Sequence, residues 1–193
     1  ATYYCKYILH NVALVSVFYL AVNVSLFAGA VAGRFLAGAC GQERAYRIGL
    51  GILGLFSMAA YFSSGHLFIF VSFMALANAG FGVTNAVSVS LFSDTVVYGE
   101  WATGSCRRGF VMSMYTFNMK FAYVLSSIVV SAGLSLCGYE ANVAASSAVI
   151  FCIRFLMTAM PGLVVLLGAA VFSRYPLNKE RVEALQREIN ERY

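Results

Sequence analysis

Five apolar stretches follow one another along this chain, and its charges gather in the gaps between them. Each is about the twenty residues that a helix needs to cross roughly 30 Å of hydrocarbon. Inside a bilayer no water can pair a free N–H or C=O, and an open strand would leave both exposed, so the spans must be helices. The fold class is therefore all-α, a polytopic membrane helix bundle. The spans read as 12–33, 45–63, 67–92, 109–137 and 148–173. A soluble domain carries about a quarter charged residues and just under half apolar ones. With 11% charged and 61% hydrophobic residues, this chain is neither a soluble domain nor a soluble domain on one anchor.

The connections alternate sides of the membrane. One set, Lys6 with His10, then 63–66, then 138–147, holds Lys6. The other set, 34–47, 93–108 and the tail from Arg174, holds Arg34, Arg44, Arg47, Arg107, Arg108, Arg174, Lys179, Arg181, Arg187 and Arg192. Lysine and arginine collect in cytoplasmic loops, so the second set is expected in the cytoplasm of a multi-pass protein of the cell inner membrane. The same bias accounts for the formal charge of +5 with no nucleic acid as partner. The five cysteines, Cys5, Cys40, Cys106, Cys137 and Cys152, are odd in number and contain no CxxC. They fit neither a disulfide framework nor a metal cluster and read as packing residues, so no metal and no cofactor are expected. The opening ATYYCKYIL has no methionine, basic n-region or cleavage pattern and reads as the end of a hydrophobic segment, which makes a truncated start the expectation.

Residues 1–173 thus form the transmembrane part and 174–193 a cytoplasmic tail. In the tail Asn178 can cap a helix. Val182, Leu185 and Ile189 share one face, and Glu183/Arg187 and Glu188/Arg192 stand at i,i+4. A short amphipathic helix is expected, either docked on the cytoplasmic ends of the spans or offered to a regulatory partner.

Two full charges, Lys120 and Arg154, fall inside the spans. An ionisable group there is expensive and marks a functional site by default. Arg154 is near the outer start of its span and can snorkel to the interface. Lys120 is about eleven residues from the cytoplasmic end of its span, which at ~1.5 Å per residue is near the midplane. Ser113, Thr116, Lys120, Tyr123 and Ser127 follow 3-4-3-4 spacing and form one polar stripe on an apolar helix. Asn78, Asn85 and Ser88 offer a similar face on the 67–92 span, and Ser16, Tyr19 and Asn23 on the first. Three such faces can enclose a wet cavity whose hydroxyls and amides bind a polyol, although each Ser, Thr or Asn taken singly serves equally as glue between helices. The small residues of Leu26–Gly33 and Ala77–Gly82 permit close helix approach, and Pro161 should kink the last span.

The segment DTVVYGEWATGSCRRGFVMSMYTFNMK, residues 94–120, resembles the cytoplasmic loop and following helix of the glycoside-pentoside-hexuronide:cation symporters, the melibiose-carrier-like branch of the major facilitator superfamily. The acidic residue, the YGEW-type run, the T-G pair, the Gly opening the next span and a Thr and Lys four apart come in that order. Gly138-Tyr139, Arg154, Pro161 and the YPL of the tail continue the resemblance, and GRFLAGACGQER resembles the loop after the eighth helix. The chain departs from the pattern at Ala102 and at Cys106-Arg107-Arg108-Gly109.

The resemblance implies the C-terminal half of a major facilitator fold, from the end of helix seven through helix twelve. It implies that Thr116 and Lys120 lie near the sugar and coupling-ion sites, with Tyr123, Asn85 and Ser113 lining the same cavity. Asp94, Tyr98, Glu100 and Trp101 would form a cytoplasmic gate, or otherwise a solvated loop. The implied function is symport of a glycoside, pentoside or hexuronide sugar with Na⁺ or H⁺ by alternating access. Its partners would be the sugar, membrane lipid and the N-terminal half that holds the family's cation-binding aspartates, so that this chain alone should not transport. Lys120 would either donate hydrogen bonds to sugar oxygens or balance acidic cation ligands of that other half. An exporter or a lipid or other solute carrier of the same superfamily is the alternative. An intramembrane enzyme needs a nucleophile, a His pair or an acid/base couple at depth, and the spans place no His or carboxylate there; a plain scaffold leaves Lys120 unexplained.

Overall fold

The computed structural model describes residues 14–63, 67–105, 108–138, 147–174 and 179–192, and among these every regular element is a helix. In chain order they are α1 (Leu14–Cys40), α2 (Gln42–Phe62), α3 (Leu67–Thr103), α4 (Arg108–Leu136), α5 (Ser147–Arg154), a π-helical turn (Phe155–Ala159), α6 (Met160–Phe172) and α7 (Lys179–Arg192). α5, the π turn and α6 make one continuous span. Five helices among the described residues are long and apolar enough to cross a membrane. The start of the chain and Asn178 lie outside the described residues.

Two expected loops are mostly helix. Of the 34–47 connection only Gly41 is non-helical, because α1 continues through Arg34 to Cys40 and α2 starts at Gln42. Gly41 turns the chain with φ 89° and ψ 154°, a backbone region open almost only to glycine. Of the 93–108 connection, residues 93–103 belong to α3. At 37 residues α3 is about 55 Å long, far more than the ~30 Å of hydrocarbon, so it projects from the membrane. The projecting turns stay helical because their hydroxyls bond back to the helix: Ser93 to the Val89 carbonyl at 3.2 Å, Thr95 to Leu91 at 3.1 Å and Thr103 to Gly99 at 2.7 Å. Hydropathy marks where lipid ends, and these helices end elsewhere.

α3 is the centre of the bundle, with α1 and α2 packed along it. The two small-residue runs face each other. A Cβ on Gly29 would overlap the Ala79 carbonyl and one on Gly82 the Leu26 carbonyl, so the α1 and α3 backbones touch. On the α2 side a Cβ at Gly80 would come within 2.7 Å of the Gly49 carbonyl oxygen. Apolar clusters close the two ends of this core: Phe18, Ala60 and Phe70 at one, Ala45, Val87 and Leu91 at the other. α6 packs on α2, where Tyr46 and Phe172 place their rings 4.6 Å apart.

The last span is interrupted where Pro161 predicts a kink. The turn before it widens, and the Met160 N–H reaches the Phe155 carbonyl five residues back. Proline lacks an N–H and crowds the carbonyl four residues earlier, and the π turn relieves both. Ser57 of α2 donates 2.8 Å to the Thr158 carbonyl within that turn, and both residues are buried.

Candidate transport cavity

α4 carries the polar stripe and differs from every other span: none of its residues is buried. It is held at two places. Near one end the Tyr115 hydroxyl is 3.2 Å from Ser88 Oγ, and its ring is 4.6 Å from that of Phe92. Near the other end Gly133 lies under Leu156 of the π turn, and Cys152 Sγ donates to its carbonyl at 3.3 Å. The half-buried strip of α4 is therefore Val111, Met112, Tyr115, Val129, Gly133 and Leu134. At ~100° per residue the stripe of Ser113, Thr116, Lys120, Tyr123 and Ser127 centres roughly 120° round from that strip, and all five are exposed.

The hydroxyls of the stripe are satisfied within the helix. Ser113 donates to the Gly109 carbonyl at 2.8 Å, Thr116 to Met112 at 3.1 Å and Ser127 to Tyr123 at 2.9 Å. Each keeps its oxygen lone pairs free to accept from a ligand. Lys120 stands twelve residues into a helix of 29, in its middle third. Among the described residues it makes no ion pair.

Ser88 and Tyr115 fix the register of the antiparallel pair α3 and α4. Five residues on from Tyr115, Lys120 is level with about residue 83 of α3, so Asn85 lies within roughly one helical turn of it in depth. Asn85 is exposed, with its carbonyl accepting from Ser88 Oγ at 3.0 Å. Asn78 is part-buried and donates to the Met74 carbonyl at 2.8 Å. Both fall between the strip of α3 that meets α1 and the strip that meets α4.

The first span contributes differently from expectation. Gly29 sits against Ala79 and Gly33 against Val83, so α1 and α3 run parallel with a constant offset. Asn23, whose amide donates 2.7 Å to the Tyr19 carbonyl, is then level with Phe73, about 15 Å from the level of Lys120. Ser16 and Tyr19 lie farther still. Arg34 takes their place: it is on the same face of α1 as Ser16 and Asn23, exposed, and within about a turn of Lys120 in depth. Hydropathy ended the first span at 33 and put Arg34 in a loop; its 11- and 18-residue spacing from Asn23 and Ser16 was the signal. Because α4 runs antiparallel to α1 and α3, the three polar faces open to one side of the layer they form.

The four residues expected at a cytoplasmic gate are elsewhere. Asp94, Tyr98, Glu100 and Trp101 occupy the projecting turns of α3, not a loop. Tyr98 is about 22 Å along α3 from the level of Lys120. Tyr98 and Trp101 place their rings 5.9 Å apart. Trp101 Nε1 donates 2.7 Å to Glu188 Oε2 of α7, a link that the sequence did not announce. α7 lies against the end of α3 with Leu185 and Ile189 buried, so the tail docks on its own chain. Arg154 ends α5, half-buried, and its Nε is buried without a hydrogen-bond partner among the described residues.

The family model described as MFS/sugar transport protein matches residues 1–179. The chain is similar to a putative sulfoquinovose importer of Escherichia coli (strain K12), 29% identical over 98% of this chain and 41% of that protein. It is similar to a putative 2,3-dihydroxypropane-1-sulfonate exporter of the same organism, 31% identical over 98% of the chain and 41% of the relative. A glucuronide carrier protein homolog, also of Escherichia coli (strain K12), is 30% identical over 98% and 42%. The chain thus spans about two fifths of the length of the curated relatives it matches.

Proposed function

This chain belongs to the MFS/sugar transport protein family, a family of transporters and not of enzymes, and from that premise we propose that it forms the C-terminal half of a cation-coupled sugar symporter of the cell inner membrane. The sugar is a glycoside, pentoside or hexuronide and the coupling ion Na⁺ or H⁺. One observation carries the reading: a lysine in the middle of a spanning helix, on a polar stripe, exposed on the side where α3 presents Asn85. Bare lysine is costly in lipid, so that face must meet water, substrate or another part of the carrier.

In this proposal the polar side of the α1, α3 and α4 layer is one wall of a cavity at mid-depth, and the N-terminal half is the other. Thr116 and Ser113 accept from sugar hydroxyls, Tyr123 accepts and donates, Asn85 supplies an amide at the same level, and Lys120 binds an oxygen of the sugar or neutralises a carboxylate across the cavity. Arg34 adds a second cation on that side, which favours the acidic members of the substrate class, the hexuronides. The two halves rock about this site, and sugar and ion are coupled because each changes the affinity for the other. The arginine-rich ends, with the tip of α3 and α7, face the cytoplasm, where Asp94, Tyr98, Glu100 and Trp101 form part of the closure between halves.

The test is uptake by a full-length carrier rebuilt around this chain. Lys120→Ala should abolish cation-coupled accumulation while the protein still inserts and folds; normal accumulation would remove Lys120 from the site. A second reading, export of the solute, is favoured by the relative named as an exporter. Inside-out vesicles that accumulate the solute under an outward-directed physiological gradient would select it.

A further inference from the structure

Cys137 and Cys152 sit on different helices and meet. Cys137 is the first residue beyond α4, and Cys152 belongs to α5. One carbonyl, that of Gly133, accepts from both: the Cys137 N–H at 3.2 Å and the Cys152 thiol at 3.3 Å. That shared acceptor brings the Cys152 thiol against the Cys137 end of α4, near enough for the two side chains to act on each other electrostatically. The contact lies where α4, a helix with no buried residue, is attached to the last span.

We propose that Cys137 and Cys152 are a disulfide-forming pair that ties the end of α4 opposite Lys120's cytoplasmic side to α5. Forming the bond requires the sulfurs to reach ~2 Å, and the common Gly133 contact is what brings the two residues together for that approach. The lost bond is a weak S–H donor, and the Gly133 carbonyl keeps the Cys137 N–H. Exposure sets the order of events: Cys137 is half-buried and Cys152 buried. The Cys137 thiolate, its proton given to water, attacks one sulfur of a disulfide oxidant such as oxidised glutathione, and one glutathione thiolate leaves. Cys152 then loses its proton and attacks Cys137 Sγ, expelling the second glutathione thiolate. Two thiols are oxidised by two electrons and one external disulfide is reduced to two thiols. The orientation proposed above places the pair on the outer side, the compartment in which disulfides persist.

The experiment uses the full chain in right-side-out membrane vesicles, with Cys5→Ser, Cys40→Ser and Cys106→Ser leaving only the pair. Oxidised glutathione, which does not cross the membrane, is added outside; a parallel sample receives copper-phenanthroline, which does. After denaturation, free thiols are counted with a maleimide of large mass. Loss of both adducts in both samples, with a mass lower by two hydrogens, is the expected result. Two adducts remaining in both samples would overturn the pairing, whatever the protein transports. A bond formed with copper-phenanthroline alone would overturn the outward placement instead. Cys152→Ser should leave a stable glutathione adduct on Cys137, whereas Cys137→Ser should leave Cys152 unmodified; the reverse pattern would overturn the assigned order.

Discussion

Two alanine substitutions in one helix should move stability in opposite directions. At Gly29 an added Cβ would overlap the Ala79 carbonyl, with the carbonyl carbon and Cα of Ala79 each 2.7 Å away, so three backbone atoms stand in its path. No side chain can rotate aside, and α1 must separate from α3. Forcing one carbon into a packed interior costs about 1–3 kcal/mol, and a rigid obstacle belongs at the upper end. At Gly38 of the same helix nothing lies within 4 Å of the new Cβ. There alanine only restricts the unfolded chain and should stabilise by about 0.5–1 kcal/mol. The pair should differ by roughly 3.5–4 kcal/mol, several hundredfold in the folding equilibrium. Both variants of the purified chain are unfolded in a detergent titration and followed by tyrosine and tryptophan fluorescence. Equal midpoints, or a stabilised Gly29→Ala, would mean that the α1 and α3 backbones do not touch.

Gly41→Ala meets no atom within 4 Å but must hold φ 89°, so it should lose about 1–3 kcal/mol in the same titration, unlike Gly38→Ala three residues earlier. Ser57→Ala removes the donor to the buried Thr158 carbonyl and should cost about 1 kcal/mol; a neutral result would show that the carbonyl has another partner. Trp101→Phe keeps the ring beside Tyr98 and loses the bond to Glu188, so amide exchange across α7 should speed up several-fold, read by mass spectrometry, while α3 below residue 92 stays as protected as before.

The existence of the spans was legible because lipid leaves the chain no alternative to helix. Their ends were legible where hydropathy and helix stop together. α2, α4 and the last span begin and end within three residues of expectation, each flanked by a glycine, a polar pair or a charge. α1 and α3 overran it because a helix passing into water changes its solvent and not its hydrogen bonds. Lys120 stood out as a charge amid apolar neighbours, and its stripe followed from spacing alone. Arg34 did not stand out, because it lies where an apolar run ends and a charge is ordinary. The meeting of Trp101 with Glu188 joins residues 87 apart, and that of Cys137 with Cys152 depends on how α4 and α5 dock; no periodicity encodes either.

The π turn has a consequence for counting. It places one residue more than an α-helix would in the same rise, so the side chains of α6 are rotated by about 100° from where a single wheel drawn through 147–172 would put them. Gly162, just past that surplus residue, meets Met58 and the Gly54 carbonyl. Two carriers whose last spans coincide in space can therefore differ by one residue within 155–159. A single deletion there would keep the contacts of α6 in register but give up the relief that the wide turn offers Pro161, whereas the same deletion two turns later would rotate every contact that follows it.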